Sequence, residues 1–210
     1  MRREHTKTES YIDWLKSIGC VLYLPLTQDG DLQDRISGAS LQYTNSGTQA
    51  YWDNNEGMYV FVGPSYHRQS YTLSNGWSAA TFPDNEVSVL TTFKKKSANG
   101  NGTFMCVGNY IAIGNATMQA GTSNIASWNN SLYNCAYTLS STGRWLYDNG
   151  VLFSTYGAYT PYLPQGWGGY NWYVGSYNTQ NSGREVYIKD VLMFNKVLDL
   201  QTIRKIQGYE

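Results

Sequence analysis

The sequence predicts an all-β protein, a two-sheet antiparallel β-sandwich with a short helix at each end. The composition favours strands and turns, with 19 Tyr, 7 Trp and 21 Gly among 210 residues. About a dozen short apolar runs follow one another, most of them bounded by Gly, Asn, Asp, Ser or Pro. No internal repeat indicates a β-helix, so a two-sheet sandwich accounts best for so many short strands.

A helix is predicted on either side of these strands. Residues 8–18 place apolar side chains at helical spacing, and Gly19 follows as a C-terminal stop. We expect this first helix to pack on the edge of the sandwich. Near the other end, Asp199 can cap a helix that Gly208 ends.

The length fits one large β domain preceded by the first helix. We therefore divide the chain into an N-terminal helical extension, residues 1–19, and a β-sandwich domain, residues 20–210.

The run EVSVLTTF predicts a strand with one buried side. Alternation places Val87, Val89, Thr91 and Phe93 on one face, and Ser88, Leu90 and Thr92 on the other. The three lysines that follow, residues 94–96, are expected to form a solvated hairpin end that also protects a sheet edge from pairing.

The run LYDNGVLF predicts a tight hairpin. A type I′ turn needs positive φ at both central positions, which Asn149 tolerates and Gly150 adopts without steric cost. Trp145 and Tyr147 should share one face of the incoming strand, and Leu146 should lie on the other.

Two segments carry a family resemblance. The stretch from RWLYDNGVLF through WYVGSYNTQNSGREVYIKDVLMFNKVLDLQTIRKIQ, and the earlier CVLYLPLTQDGDLQDRISGA, resemble the concanavalin A-like lectin/glucanase superfamily and its laminin G-like members. The resemblance implies a jelly-roll sandwich and a carbohydrate-recognition role. It also suggests an extracellular or surface setting, on a bacterial or phage surface.

The charge balance excludes several function classes. Charged residues make up 14% of the chain and sum to zero, so no basic field is present for nucleic acid. No run is long and apolar enough to insert in a membrane, and no signal peptide is visible.

The odd number of widely spaced cysteines predicts buried free thiols at Cys20, Cys106 and Cys135.

The carboxylates do not predict catalysis. Laminarinase-like enzymes of the superfamily need two Glu side chains close together on one strand, whereas the six Glu here are far apart. Asp84 and Glu86 lie in a turn that enters a strand, and His67 has no nucleophile-elbow pattern beside it. We therefore expect a non-catalytic protein.

The segment TQDGDLQD offers three carboxylates, Asp29, Asp31 and Asp34, to a calcium ion. Lectins of this superfamily often hold calcium through loop oxygens. A turn rich in Asp and Gly also forms without metal, so no cofactor is predicted and calcium is kept as an alternative.

Aromatic side chains are the candidate ligand contacts. The segment from Tyr159 to Tyr173 combines prolines and glycines with Trp167, Tyr170 and Trp172. Flat rings pair with the C–H faces of sugars, and amide side chains match the hydroxyls. A second candidate pair is Trp128 with Asn129. Trp172 also begins an apparent strand, so a core position is its alternative.

The sequence thus predicts a lectin-like recognition module whose partner is an oligo- or polysaccharide. Two alternatives stay open: an adhesion or structural module of a fibre or tail that binds a protein, and a divergent glycoside hydrolase or lyase. Oligomeric state and compartment are not determined by the sequence.

Overall fold

The structure is a computed structural model that describes residues 9–43, 49–61, 71–73, 82–84, 86–96, 103–107, 111–114, 131–157, 172–174 and 185–209. Its elements in chain order are α1 (Glu9–Ser17), β1 (Cys20–Leu24), β2 (Leu41–Tyr43), β3 (Tyr51–Asp53), β4 (Met58–Phe61), β5 (Tyr71–Leu73), β6 (Val87–Lys95), β7 (Thr103–Val107), β8 (Ile111–Gly114), β9 (Leu132–Ser140), β10 (Gly143–Asp148), β11 (Val151–Tyr156), β12 (Trp172–Val174), β13 (Val186–Phe194) and α2 (Leu200–Gln207). The described chain is therefore mostly β, with two short helices.

An antiparallel sheet of eight strands dominates the fold. Its order is β11-β10-β9-β6-β13-β4-β3, and β1 also pairs with β13. One side of β13 is shared: Val186–Ile188 pair with β4, and Val191–Phe194 pair with β1. Two smaller sheets, β12-β7-β8 and β2-β5, complete the described strands.

Each face of the large sheet carries a cluster of buried residues. Consecutive residues alternate between two core clusters, so that Val89 belongs to one cluster and Leu90 to the other. The first cluster also contains Leu41 of β2 and Val174 of β12, from the two smaller sheets. The second cluster contains Leu15 of α1 and Ile203 of α2, so both helices cover that face.

Three expectations about packing were wrong. Helix α1 lies on a face of the sheet instead of its edge, because Leu15 packs in one cluster with Leu90 and Leu192 of the central strands. Strand β6 is buried on both sides, and not on one, because a core cluster lies against each of its faces. Residues 94–96 do not protect an edge, since β6 is paired with β9 and β13 through Lys94.

The local predictions are confirmed. Asn149 and Gly150 have φ of 49° and 74°, as a type I′ hairpin requires, and they join β10 to β11. The Asp199 side chain accepts a hydrogen bond from Thr202 N at the start of α2, and Gly208 ends that helix with φ of 75°.

Cys20 and Cys135 are confirmed as buried free thiols. Cys106 lies in β7, and its side chain is outside the described part. Within the described residues, no helix has the length and apolarity that a membrane crossing requires.

Candidate functional site

Four of the five ring and amide residues predicted to contact a ligand lie outside the described residues. These are Trp128, Asn129, Trp167 and Tyr170. The fifth, Trp172, is the first residue of β12 and pairs with Val107 of β7. Two positions further on, Val174 is buried in the core. The strand expected at Trp172 is confirmed, and the role of all five residues stays a prediction.

The described chain brings together a different polar and aromatic surface. Four residues form a row across four neighbouring strands. Val60 of β4 pairs with Tyr51 of β3 on one side and with Tyr187 of β13 on the other. Tyr187 in turn pairs with Lys94 of β6. Directly opposed residues of antiparallel strands share a face. Lys94 follows Leu90 by four positions, so this row is on the face that the helices cover elsewhere.

The helices do not bury this part of the face. Met58, Val60 and Tyr187 form a small cluster separate from the one that contains α1 and α2. Around it lie charged side chains from the ends of neighbouring strands. We refer to this surface as the Tyr51 patch, comprising Tyr51, Asp53, Glu56, Lys94, Lys96, Glu185 and Tyr187.

One half of the patch is organised by Asp53 and Tyr187. The Tyr187 hydroxyl donates a hydrogen bond to Asp53 Oδ2 at 3.1 Å. Lys94 Nζ bonds to Glu56 Oε1 at 2.7 Å and lies 5.6 Å from the Tyr187 ring centroid. Asp53 Oδ1 accepts from the backbone N–H groups of Asn55 and Glu56, which shapes the β3–β4 turn.

The other half is organised by Lys96. Its ammonium group contacts Glu185 Oε2 at 3.1 Å and donates a hydrogen bond to the Tyr51 hydroxyl. The same Nζ is 5.1 Å from the Tyr51 ring centroid. Lys96 Nζ is bonded to the hydroxyl and is also 5.1 Å from the centroid, so it lies beyond the hydroxyl end of the Tyr51 ring. Lys96 therefore does not cover the ring face.

The patch shifts the pKa values of its own groups. Burial opposes ionisation of Asp53, but backbone donors from Asn55 and Glu56 and the Tyr187 hydroxyl outweigh it and lower the pKa of this carboxyl. Burial, followed by the bond to Asp53, raises the pKa of Tyr187 to about 12. The bond to Tyr51 raises the pKa of Lys96. These groups therefore keep their ordinary charges at neutral pH.

The chemistry of the patch suits a neutral polyhydroxy ligand. Tyr51 is 40% exposed and is flanked by groups that donate and accept hydrogen bonds. Two ammonium groups against three carboxylates leave one net negative charge, which disfavours an anionic sugar. Sequence reasoning missed this surface. The signal available was the turn DNNEG between the aromatic runs YW and MYVF.

The Asp-rich turn is satisfied by the protein itself. Asp34 Oδ1 accepts from the N–H groups of Tyr23 and Ile36, and Oδ2 accepts from the N–H and the hydroxyl of Ser37. Asp31 pairs with Arg35 at 2.5 Å. Across the described residues, no three or more His, Cys, Asp or Glu side chains are grouped so as to hold a metal ion.

The acidic residues considered for catalysis have other contacts or lie elsewhere. Glu86 Oε2 accepts a hydrogen bond from Val197 N at 3.2 Å and so anchors the segment that leads into α2. Asp84 is exposed, and His67 lies outside the described residues.

A small cavity of about 30 Å³ lies between the helices and the sheet, where Tyr11, Thr92, Asp190 and Gln207 line it. That space accommodates one or two water molecules and excludes a sugar ring.

No protein-family model matches the sequence, and no curated protein matches it either. Solved structures do resemble it. The binding domain of botulinum neurotoxin DC in complex with SialylT matches with a TM-score of 0.60 at 15% identity, over 91% of this chain and 51% of that chain. Botulinum neurotoxin type C, whose route into cells depends on two ganglioside molecules, matches with a TM-score of 0.64 at 14% identity, over 93% and 52% of the chains.

A Trypanosoma rangeli sialidase in complex with 2,3-difluoro-KDN is also similar. It matches with a TM-score of 0.64 at 15% identity, over 90% of this chain and 32% of that chain. This chain therefore spans about half the length of the neurotoxin chains and about a third of the sialidase chain. At such identity the likeness establishes the fold alone.

Proposed function

We propose that this chain is a non-catalytic, lectin-like module that binds carbohydrate. The observation that carries the proposal is the shared fold with neurotoxin binding domains, one in complex with SialylT and one dependent on gangliosides. The sialidase, of which this chain matches about a third of the length, is also in complex with a sugar derivative. Recognition of a glycan is a property that these whole proteins have in common, and this chain matches about half of each neurotoxin chain and about a third of the sialidase chain.

We also propose that residues 20–210 form a two-sheet sandwich of the concanavalin A-like, laminin G-like kind, with residues 1–19 as a helical extension. Leu41 and Val174, which belong to the two smaller sheets, are buried in one cluster with Val89 and Met193 of the large sheet. This shared cluster supports a second layer of strands over that face.

The proposed ligand contacts are the predicted aromatic and amide residues. Trp167 is the main stacking ring, because Pro161 and Pro164 restrict the surrounding segment and a preorganised ring loses little entropy on binding. The remaining contacts are Tyr170, Trp172, Trp128 and Asn129. No charged residue lies between Tyr159 and Tyr173, so stacking and neutral hydrogen bonds would dominate.

A glycan array that includes sialylated and neutral oligosaccharides tests the function. We expect retention of at least one glycan class by the folded protein. Absence of any glycan signal, with a cooperative melting transition intact, would instead favour the adhesion or structural alternative with a protein partner.

Two variants locate the site. Trp167→Ala should abolish retention while leaving the melting temperature nearly unchanged. Tyr51→Ala is the comparison variant, since it removes the exposed ring of the Tyr51 patch, the other surface whose chemistry suits a polyhydroxy ligand; retention that persists in this variant leaves the site with Trp167. Loss of retention in Tyr51→Ala alone would assign binding to the Tyr51 patch. A melting temperature several degrees lower in Trp167→Ala would place Trp167 in the core, with Trp128 the next residue to test.

A further inference from the structure

The edge strand β11 exposes apolar side chains to solvent. Val151 is 66% exposed, Leu152 is 46% exposed and Phe153 is 54% exposed. β11 ends the eight-stranded sheet, and within the described part of the chain only β10 pairs with it. An edge strand of this kind presents unpaired backbone N–H and C=O groups beside apolar side chains.

The apolar side chains lie on both faces of the strand. Val151 is opposite Asp148 and Leu152 is opposite Tyr147, two adjacent residues of β10 that point to opposite faces. Phe153 is the additional residue at the register shift between Leu146 and Tyr147. Strands that are apolar on both faces usually occupy interior positions, where neighbours cover them.

The opposite edge of the same sheet is protected in the usual ways. β3 has only three residues, and it carries Asp53 at its end. Short length and charge are devices that discourage pairing between edges. Edge protection is therefore present at β3, whereas residues 149–157 contain no charged residue and no proline.

We propose that β11 is a self-association surface, on which β11 of a second copy of this chain pairs antiparallel across a two-fold axis. Two identical strands that pair antiparallel are related by a two-fold axis, so the same six residues supply both sides of the interface. The absence of charge from residue 149 to residue 157 means that bringing two copies together opposes no like charges.

The length of the strand sets the expected affinity. Six residues extend about 20 Å, which is less than a standard stable interface needs. The register shift at Phe153 adds twist and shortens the part that can pair regularly. The dimer is therefore weak and reversible, and its association is sought between micromolar and millimolar concentrations.

Analytical ultracentrifugation of the chain across that concentration range tests the proposal. The weight-average mass of the wild-type protein should rise reversibly from monomer towards dimer. Leu152→Glu should raise the dimer dissociation constant by about tenfold or more, because it places two like charges on the paired strands. Leu200→Glu is the matched control: Leu200 is 38% exposed on α2, so its replacement should leave association unchanged.

Val151→Glu gives a second test at the most exposed position of the strand, in case Leu152→Glu does not fold. A melting curve for each variant separates loss of association from loss of folding. A wild-type chain that stays monomeric at the highest concentration overturns the proposal. Association that persists unchanged in folded Leu152→Glu or Val151→Glu overturns it as well.

Discussion

The ring of Tyr209 packs directly on Gly150, so closely that a β-carbon at position 150 would lie 2.8 Å from Tyr209 Cδ2. The Tyr209 hydroxyl donates a hydrogen bond to Asn149 Oδ1 at 2.9 Å and accepts one from Asn134 Nδ2 at 2.5 Å. The β10–β11 turn is thus tied to the segment that follows α2. This contact explains why the turn needs glycine for a reason beyond its backbone angle.

Replacing Gly150 with Val should destabilise the protein by at least about 1 kcal/mol, because a β-branched residue resists positive φ. Contact with Tyr209 adds to this loss. Gly157→Ala is the matched control, since a β-carbon there has no neighbour within 4 Å. Urea unfolding measures both changes. Equal stability of Gly150→Val and wild type would contradict the hairpin and its contact with Tyr209.

Asp34 should be a structural residue and not a metal ligand. It is 1% exposed, and its carboxylate accepts hydrogen bonds from Tyr23, Ile36 and Ser37. Asp34→Ala should cost about 2–3 kcal/mol of unfolding free energy, because buried donors lose their partners. Asp34→Asn should be intermediate, since it retains one acceptor oxygen.

Two measurements control this prediction. Asp13→Ala removes an exposed carboxylate from α1 and should leave the unfolding midpoint nearly unchanged. The midpoint of the wild-type protein should not shift when calcium is added or chelated. A calcium-dependent midpoint that Asp34→Asn abolishes would support the alternative of a calcium-binding turn.

Cys20 and Cys135 should be unreactive in the folded protein. Burial raises the pKa of Cys20 to about 12, and burial also raises the pKa of Cys135. Because the thiolate is the reactive species, a thiol reagent at mildly alkaline pH should label neither residue before unfolding. A Cys106→Ser background restricts the assay to these two thiols. Stoichiometric labelling of that variant in the native state would disprove the burial of one or both.

Features of the fold that depend on residues close in sequence could be predicted, and features that depend on residues far apart in sequence could not. The Asn149–Gly150 hairpin, the Asp199 cap and the Gly208 stop depend on residues close in sequence, and all were predicted correctly. The burial of α1 against the central strands depends on Leu15 joining one buried cluster with Leu192, far along the chain. Periodicity shows that a helix has an apolar side but does not identify the surface that buries it.

The candidate site shows the same limit. The Tyr51 patch arises because β3, β4, β13 and β6 lie side by side, and nothing in the local sequence of β3 indicates that neighbour order. Lys94 and Lys96 were expected at a sheet edge for the same reason, since only the pairing of β6 on both sides shows otherwise. The proposed contacts at Trp167 and Trp128 stay predictions.

The final prediction concerns pH. Asp148 Oδ1 is buried with no hydrogen-bond partner in the described part of the chain, and burial raises the pKa of this carboxyl above its ordinary value of 3.8. The folded state then binds the proton more tightly than the unfolded chain, so this contribution to stability is full below pH 3.8 and is lost as pH rises through the folded-state pKa. Asp148→Asn removes the charge and should raise the melting temperature near neutral pH, with the gain shrinking in acid.

Asp13→Asn, at an exposed position, should show no such pH-dependent gain. The melting temperature of Asp148→Asn could instead rise equally near neutral pH and in acid, or fall near neutral pH. Either result would mean that the ionised Asp148 carboxylate is better solvated or paired than this burial implies.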